Sequence, residues 1–236
     1  MTMQQIYLAI PILPLLAAAV VGLFGKFLPR AAAHGLTILG VALSFALSVY
    51  VLNHAMHSAP YNETVYSWLK TGNFSFEIGF LIDNLSAMMM VVVTFVSLMV
   101  HIYTVGYMAE DPGYARFFSY ISLFTFAMLM LVMSNNFMQL FFGWEAVGLV
   151  SYLLIGFWYN KPTAIFANIK AFLVNRVGDF GFILGIGLIA AYAGTLNYSE
   201  AFAKAADLSA LTLPGTSWML VTVICICLFI GAMGKS

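Results

Sequence analysis

Seven apolar runs, each long enough to cross a bilayer, take up most of this chain, and they constrain its fold more than any other feature. A membrane-spanning helix needs about 20 consecutive apolar residues. The runs lie at about 5–25, 33–53, 82–107, 115–133, 137–158, 164–193 and 217–236. The expected fold class is therefore all-α, a polytopic transmembrane helix bundle with about seven spans. No soluble domain is expected, since the longest polar stretch runs only from about His54 to Glu77. Composition agrees, with 63% hydrophobic and 8% charged residues, where soluble domains carry about 25% charged. Nine basic residues balance nine acidic ones, which speaks against nucleic-acid binding and against a polybasic lipid-surface mode. The first run has no basic leader and is interrupted by Pro11 and Pro14, so it reads as a retained span and not as a cleaved signal.

The connections set the orientation. Ser134-Asn135-Asn136 is so short a turn that the fourth and fifth helices are antiparallel neighbours. The sixth run exceeds what a bilayer needs, so its start near Lys170 protrudes or tilts. Tyr198 to Leu208 reads as an amphipathic helix on one membrane face, and Trp68, Trp158, Tyr159 and Trp218 fall at run ends as interfacial anchors. Loops one, three and five carry Lys26, Arg30, Arg116 and Lys161; the even loops carry Lys70 and Lys204 beside four acids. By the positive-inside rule the odd loops are cytoplasmic and the N-terminus lies on the outer, periplasmic side. The final apolar run has no closing loop, so residues 1–236 read as the N-terminal part of a longer protein. The closing Gly234-Lys235-Ser236 is no phosphate loop, because that motif needs glycine where Phe229 stands.

Chemistry is carried by a few charges inside the spans. Glu145 is the lone charge between Phe137 and Trp158. A carboxylate at the bilayer centre costs roughly 2.5–3.5 kcal/mol on insertion scales, so it needs a partner, a proton or a wet cavity. Its bland alternative is a buried glutamate bonded to a polar neighbour. Arg176 and Asp179 are three apart and pair on one helix face, either as a fixed neutralising pair or with Asp179 changing partners. Lys170 lies six residues upstream, where snorkelling to the headgroups competes with a role. Lys235 is 17 residues from Trp218, about 26 Å along a straight helix, close to the far interface unless the helix starts earlier or breaks. His101 suits a proton relay, against a plain hydrogen-bonded core histidine.

Other features read as structural. His54 and His57 lack a third ligand for a metal. Cys225 and Cys227, two apart on a helix, can neither bridge nor chelate together. Gly181 and Gly185 form a GxxxG packing face, and Met88-Met89-Met90 is lipid-facing or core filler. No haem, flavin, iron–sulfur, dinucleotide or catalytic-triad motif occurs in the sequence. Acids and bases on several spans are the material of a proton pathway.

A series of motifs then stands in order: Gly79-Phe80-Leu81-Ile82-Asp83-Asn84-Leu85-Ser86, Gly113-Tyr114-Ala115-Arg116-Phe117-Phe118, Gly143-Trp144-Glu145-Ala146-Val147-Gly148 and Ser151-Tyr152-Leu153-Leu154-Ile155-Gly156-Phe157. Asn175-Arg176-Val177-Gly178-Asp179 and Gly194-Thr195-Leu196-Asn197 follow. Together they resemble the antiporter-like membrane subunits of proton-pumping NADH–quinone oxidoreductase (respiratory complex I), of the L or chain 5 type. The resemblance implies the start of an inverted-repeat fold with a discontinuous seventh helix, in a bacterial or organellar energy-transducing inner membrane. It makes Lys235 a central lysine before a helix break and Glu145 its pairing partner. It places Arg176 and Asp179 near the adjacent antiporter-like subunit. It also implies that NADH, FMN, iron–sulfur clusters and quinone belong to partner subunits, with no cofactor on this chain, which would handle protons and water in the bilayer. Opening of the Glu145–Lys235 pair would leave a desolvated ammonium that hands its proton to a water chain.

The large subunit of multisubunit sodium/proton antiporters shares this core and is the alternative reading. A retinal protein would also place a lysine in a seventh helix, but it needs a carboxylate counter-ion where this third helix offers only His101. A purely structural scaffold has no use for buried charges, since each adds insertion cost without adding packing.

Overall fold

The computed structural model describes residues 2–71 and 74–235. Its elements are α1 (Met3–Phe24), α2 (Arg30–Ala55), β1 (Tyr61–Thr71), β2 (Phe74–Ile82), α3 (Asn84–Tyr107), α4 (Tyr114–Val132), α5 (Phe137–Ile155), α6 (Pro162–Ala193), α7 (Tyr198–Ala203), α8 (Ala205–Ser209) and α9 (Leu220–Lys235). Helices α1 to α6 are long and apolar enough to cross a membrane, whereas α9 has 16 residues. Ser236, in the closing Gly-Lys-Ser and at the end of the seventh run, lies outside the described residues. Helix α5 stops at Ile155, short of Trp158, and its cap Gly156 lets the Asn168 amide of α6 approach to where a Cβ would meet it at 2.3 Å. Helix α6 opens with Pro162 at its first turn and closes on Gly194 in the left-handed region, φ 68°.

Strands β1 and β2 pair antiparallel, an element the sequence analysis leaves unassigned within its polar stretch. The amphipathic helix expected over Tyr198 to Leu208 is broken at Lys204 into α7 and α8. The cause is local: the Lys204 ammonium donates to the Ala193 carbonyl, 2.6 Å away, at the last turn of α6, where unserved carbonyls favour a cation.

Alternate connections gather at the two ends of the bundle. At one end the hairpin, the 134–136 turn and the chain after α6 are tied together. Leu81 donates its N–H to the Met133 carbonyl at 3.0 Å, and Tyr198 donates to that of Asn135 at 3.1 Å. Asn135 donates to the Asn62 side chain at 3.0 Å. There Tyr198, hydrogen-bonded to Ser134, has its hydroxyl pushed up to about 12 by burial. At the other end Arg30 donates to the Ala109 carbonyl, Arg116 to that of Phe157 and the Trp158 indole to Asp111.

Helix α1 packs on α2 and α4, α2 on α3, and α6 on α9. The apolar outer surface of α3, including Met88, Val92, Phe95 and Val96, is exposed, as lipid-facing residues are, while Met90 is fully buried. Polar side chains inside the bundle serve the backbone. Pro14 has no N–H, so the Ile10 carbonyl one turn earlier loses its helical donor; Ser44 of α2 supplies one at 2.7 Å. Ser44→Ala is expected to lower stability by about 1–3 kcal/mol, because a buried carbonyl is orphaned. Ser48→Ala should be milder, since Ser48 only doubles up on the carbonyl of Ser44 in its own helix. Thermal unfolding of the detergent-solubilised full-length subunit checks this, and equal midpoints for the two variants would remove the Pro14–Ser44 account.

Candidate functional site

Helix α9 lies against α6 through glycines. A Cβ on Gly178 would stand 2.9 Å from the Gly234 Cα, one on Gly181 2.7 Å from Ile230 Cγ2 and one on Gly185 2.9 Å from Leu228 Cδ2. The Gly181/Gly185 pair is thus a packing face that only small residues permit. On α5, Gly143 meets the backbone of Leu131 in α4, where a Cβ would stand 2.8 Å from its Cα. These approaches seat α9 on α6 and α5 on α4, and four charged side chains of α5, α6 and α9 come together beside them.

Glu145 Oε2 lies 2.5 Å from Arg176 Nη2, and Arg176 Nη1 lies 3.7 Å from Asp179 Oδ2. Arg176 therefore bridges carboxylates on two helices, and its own side chain is 44% exposed against 21% for Glu145 and 8% for Asp179. Glu145 Oε1 is buried without a hydrogen-bond partner among the described residues. Buried carboxylate oxygens are normally satisfied, whereas Glu145 holds one ion-paired oxygen and one without such a partner. Asp179 Oδ1 accepts from the Trp144 indole N–H at 2.9 Å.

Lys235 reaches the same cluster, with a partner other than the expected one. Its ammonium donates to the Trp144 backbone carbonyl and lies 4.6 Å from the centre of the Trp144 ring. A Cβ on Gly148 would stand 3.3 Å from it. No carboxylate of the described residues lies within ion-pair distance of Lys235. The helical step explains this. Trp144 and Gly148 are one turn apart on the face toward α9, while Glu145 is about 100° further round and meets Arg176 of α6. Lys235 closes α9, and its ammonium sits beside residues 144–148, the middle of α5.

Two sequence candidates lie apart from the cluster. Lys170 is exposed on α6 and forms no ion pair within the described residues. His101 is fully buried on α3, a helix that packs on α2 and α4. Its Nδ1 donates to the Ser97 carbonyl at 2.7 Å, and the Ser97 hydroxyl lies 2.5 Å from that of Thr125. His101 Nε2 has no partner among the described residues. The residue the sequence reading passed over is Trp144, which bonds Asp179, holds Lys235 and stacks on Phe182 with ring centres 5.0 Å apart. The signal was available, because tryptophan favours membrane interfaces and this one sits at mid-span beside the buried acid. No group of three metal-ligating side chains forms among the described residues.

Compared with known proteins, residues 68–118 match the family described as NADH-Ubiquinone oxidoreductase (complex I), chain 5 N-terminus. Residues 134–236 match the one described as NADH:quinone oxidoreductase/Mrp antiporter, TM. NADH-quinone oxidoreductase subunit L of Neisseria meningitidis serogroup A is 60% identical over 240 residues, covering 99% of this chain and 36% of the relative. NADH-ubiquinone oxidoreductase chain 5 of Arabidopsis thaliana is 44% identical over 98% of this chain and 35% of its own length. The chain thus spans little more than a third of these relatives. Among solved structures, a chain of the Mrp complex from Dietzia superposes with TM-score 0.79 at 22% identity, over 98% of this chain and 24% of that one. A chain of an archaeal membrane-bound sulfane sulfur reductase gives TM-score 0.79 at 18% identity, over 96% and 44%. Both share the fold.

Proposed function

Since this chain belongs to the NADH-quinone oxidoreductase subunit L and chain 5 family, we propose that it is part of a proton-translocating, antiporter-like subunit of that oxidoreductase, without redox chemistry of its own. NADH, FMN, iron–sulfur clusters and quinone then belong to partner subunits, and the neighbour in the membrane is another antiporter-like subunit. The N-terminus faces outward and the Lys26/Arg116/Lys161 end faces the cytoplasm or matrix, in keeping with the positive-inside rule. Close identity to subunit L proteins favours this reading over a sodium/proton antiporter.

The observation that carries the mechanism is the division of charges: Arg176 holds Glu145 and approaches Asp179, while Lys235, in no ion pair among the described residues, contacts a carbonyl and an aromatic ring. Arg176 moving fully onto Asp179 frees Glu145, which then attracts the Lys235 ammonium and favours its charged state. Return of Arg176 to Glu145 leaves Lys235 without a carboxylate in a desolvated site, and its proton passes on. Trp144 holds both Asp179 and Lys235 in place while this happens. Lys170 and His101 would serve the approach to the site and not the exchange itself.

Replacing Arg176 by Met and Asp179 by Leu together separates exchange from static neutralisation. A pair that only neutralises itself can be exchanged for apolar residues without loss. Under partner exchange the double variant assembles but pumps about tenfold more slowly, the scale of a typical coupling free energy. Asp179→Asn alone should do nearly as much damage. Proton uptake by inverted membrane vesicles carrying the full-length subunit decides the matter, and normal pumping by the assembled double variant defeats the exchange.

A further inference from the structure

At the end of the bundle opposite the hairpin, a cavity of about 850 Å³ opens between the end of α1, the start of α4 and the α5–α6 connection. Lys26, Arg116 and Lys161 line it against a single carboxylate, Asp111. That carboxylate is already engaged: it accepts from the Trp158 indole at 2.9 Å and from the Gly113 N–H at 2.7 Å. The Trp158 bond is the main cause that holds it below the ordinary carboxylate range. The two lysines have no such engagement among the described residues. Lys26 and Lys161 form no ion pair among the described residues, and Lys161 only rests over the Trp158 ring at 4.8 Å. Arg116 is fixed above the Phe157 ring at 4.5 Å, and its Nε is buried with no partner among the described residues.

The surroundings of the cavity are those of a membrane interface. Helix α1 ends at Phe24 and α4 begins at Tyr114, so the cavity lies at the level where spans leave the hydrocarbon. Phe24 and Phe27 beside Lys26 are exposed, at 55% and 85%, which suits contact with acyl chains and gives nothing to a soluble ion. The floor is apolar and closely packed, since a Cβ on Gly25 would stand 2.9 Å from that of Ala115. A cationic rim over an apolar floor at the end of transmembrane helices matches a phosphate headgroup with its chains running down the bundle.

We propose that this cavity is a binding site for the phosphodiester headgroup of an anionic membrane phospholipid, with Lys26 and Lys161 as the mobile clamps and Arg116 as the fixed one. The site is separate from the Glu145–Lys235 cluster and stands whether or not the proton mechanism does.

The test uses the full-length subunit in its native complex, delipidated and placed in phosphatidylcholine nanodiscs with increasing dioleoyl phosphatidylglycerol. Native mass spectrometry counts the phosphatidylglycerol retained. A basic residue at an anionic lipid surface contributes enough for Lys26→Ala and Lys161→Ala each to weaken retention about fivefold, and the pair about 25-fold. Lys70→Ala, on the exposed hairpin at the other end, should change nothing. Undiminished retention by the double variant overturns the proposal, as does an equal loss in Lys70→Ala, which would mean unspecific charge attraction. Displacement of the lipid by millimolar inorganic phosphate would assign the site to a soluble anion and equally overturn it.

Discussion

Glu145→Gln is expected to cut proton pumping by about two orders of magnitude, the lower range for loss of a positioned proton-transfer group, with near-normal assembly. The amide keeps the volume and removes the charge. Arg176, now 2.5 Å from Glu145, is then left with Asp179 as its carboxylate partner among the described residues, and under the proposed exchange the arrangement is trapped in one of its two states. Glu145→Asp should be much milder, because the charge remains and only its reach shortens. Pumping is followed in inverted vesicles, with the variant subunit shown to be present in the complex. Near-wild-type rates there would reduce Glu145 to a buried structural acid whose second oxygen merely lacks a partner.

Lys235→Ala is expected to slow pumping by a similar factor and, through coupling, to hold back quinone reduction in the partner subunits. Lys235→Arg should fail to restore it for two physical reasons. A guanidinium remains protonated at any accessible pH, so it can hold the charge but cannot pass the proton on. It is also planar and wider than an ammonium, and the lysine nitrogen already lies so near Gly148 that a Cβ added there would stand 3.3 Å from it. Quinone reductase activity measured with and without an uncoupler separates a stalled proton step from general damage. Full coupled activity in the arginine variant would mean that a fixed positive charge suffices and that Lys235 carries no proton.

Much of this was legible in the sequence because membrane insertion writes itself in long runs. Each run needs a helix, and Gly181 with Gly185 announced a close partner before α9 was seen to be that partner. The buried charges were equally plain, since insertion cost makes each conspicuous. Which charge meets which was hidden. Pairing depends on rotation of one helix against two others, and the single step from Trp144 to Glu145 sends neighbours in sequence toward different helices. The hairpin was missed for a different reason: Phe76, Ile78, Phe80 and Ile82 alternate as a strand should, but a search for polar loops averages that alternation away. The break at Lys204 needed knowledge of where the α6 carbonyls end.

The contact between Gly178 and Gly234 has a consequence for speed. With backbones touching at that point, and Ile230 and Leu228 filling the next turns of the interface, α6 and α9 have no room to slide without opening a gap or a clash. Relative helix displacement belongs to the microsecond-to-millisecond range, whereas rotamer hops of accessible side chains take picoseconds to nanoseconds. The Arg176 side chain, 44% exposed, can exchange carboxylates by such hops once its pairing with Glu145 opens. Under the proposed exchange, the rearrangement of charge would be fast beside any turnover, and the pace of transport would be set where protons arrive and leave, and by the signal that biases one rotamer over the other.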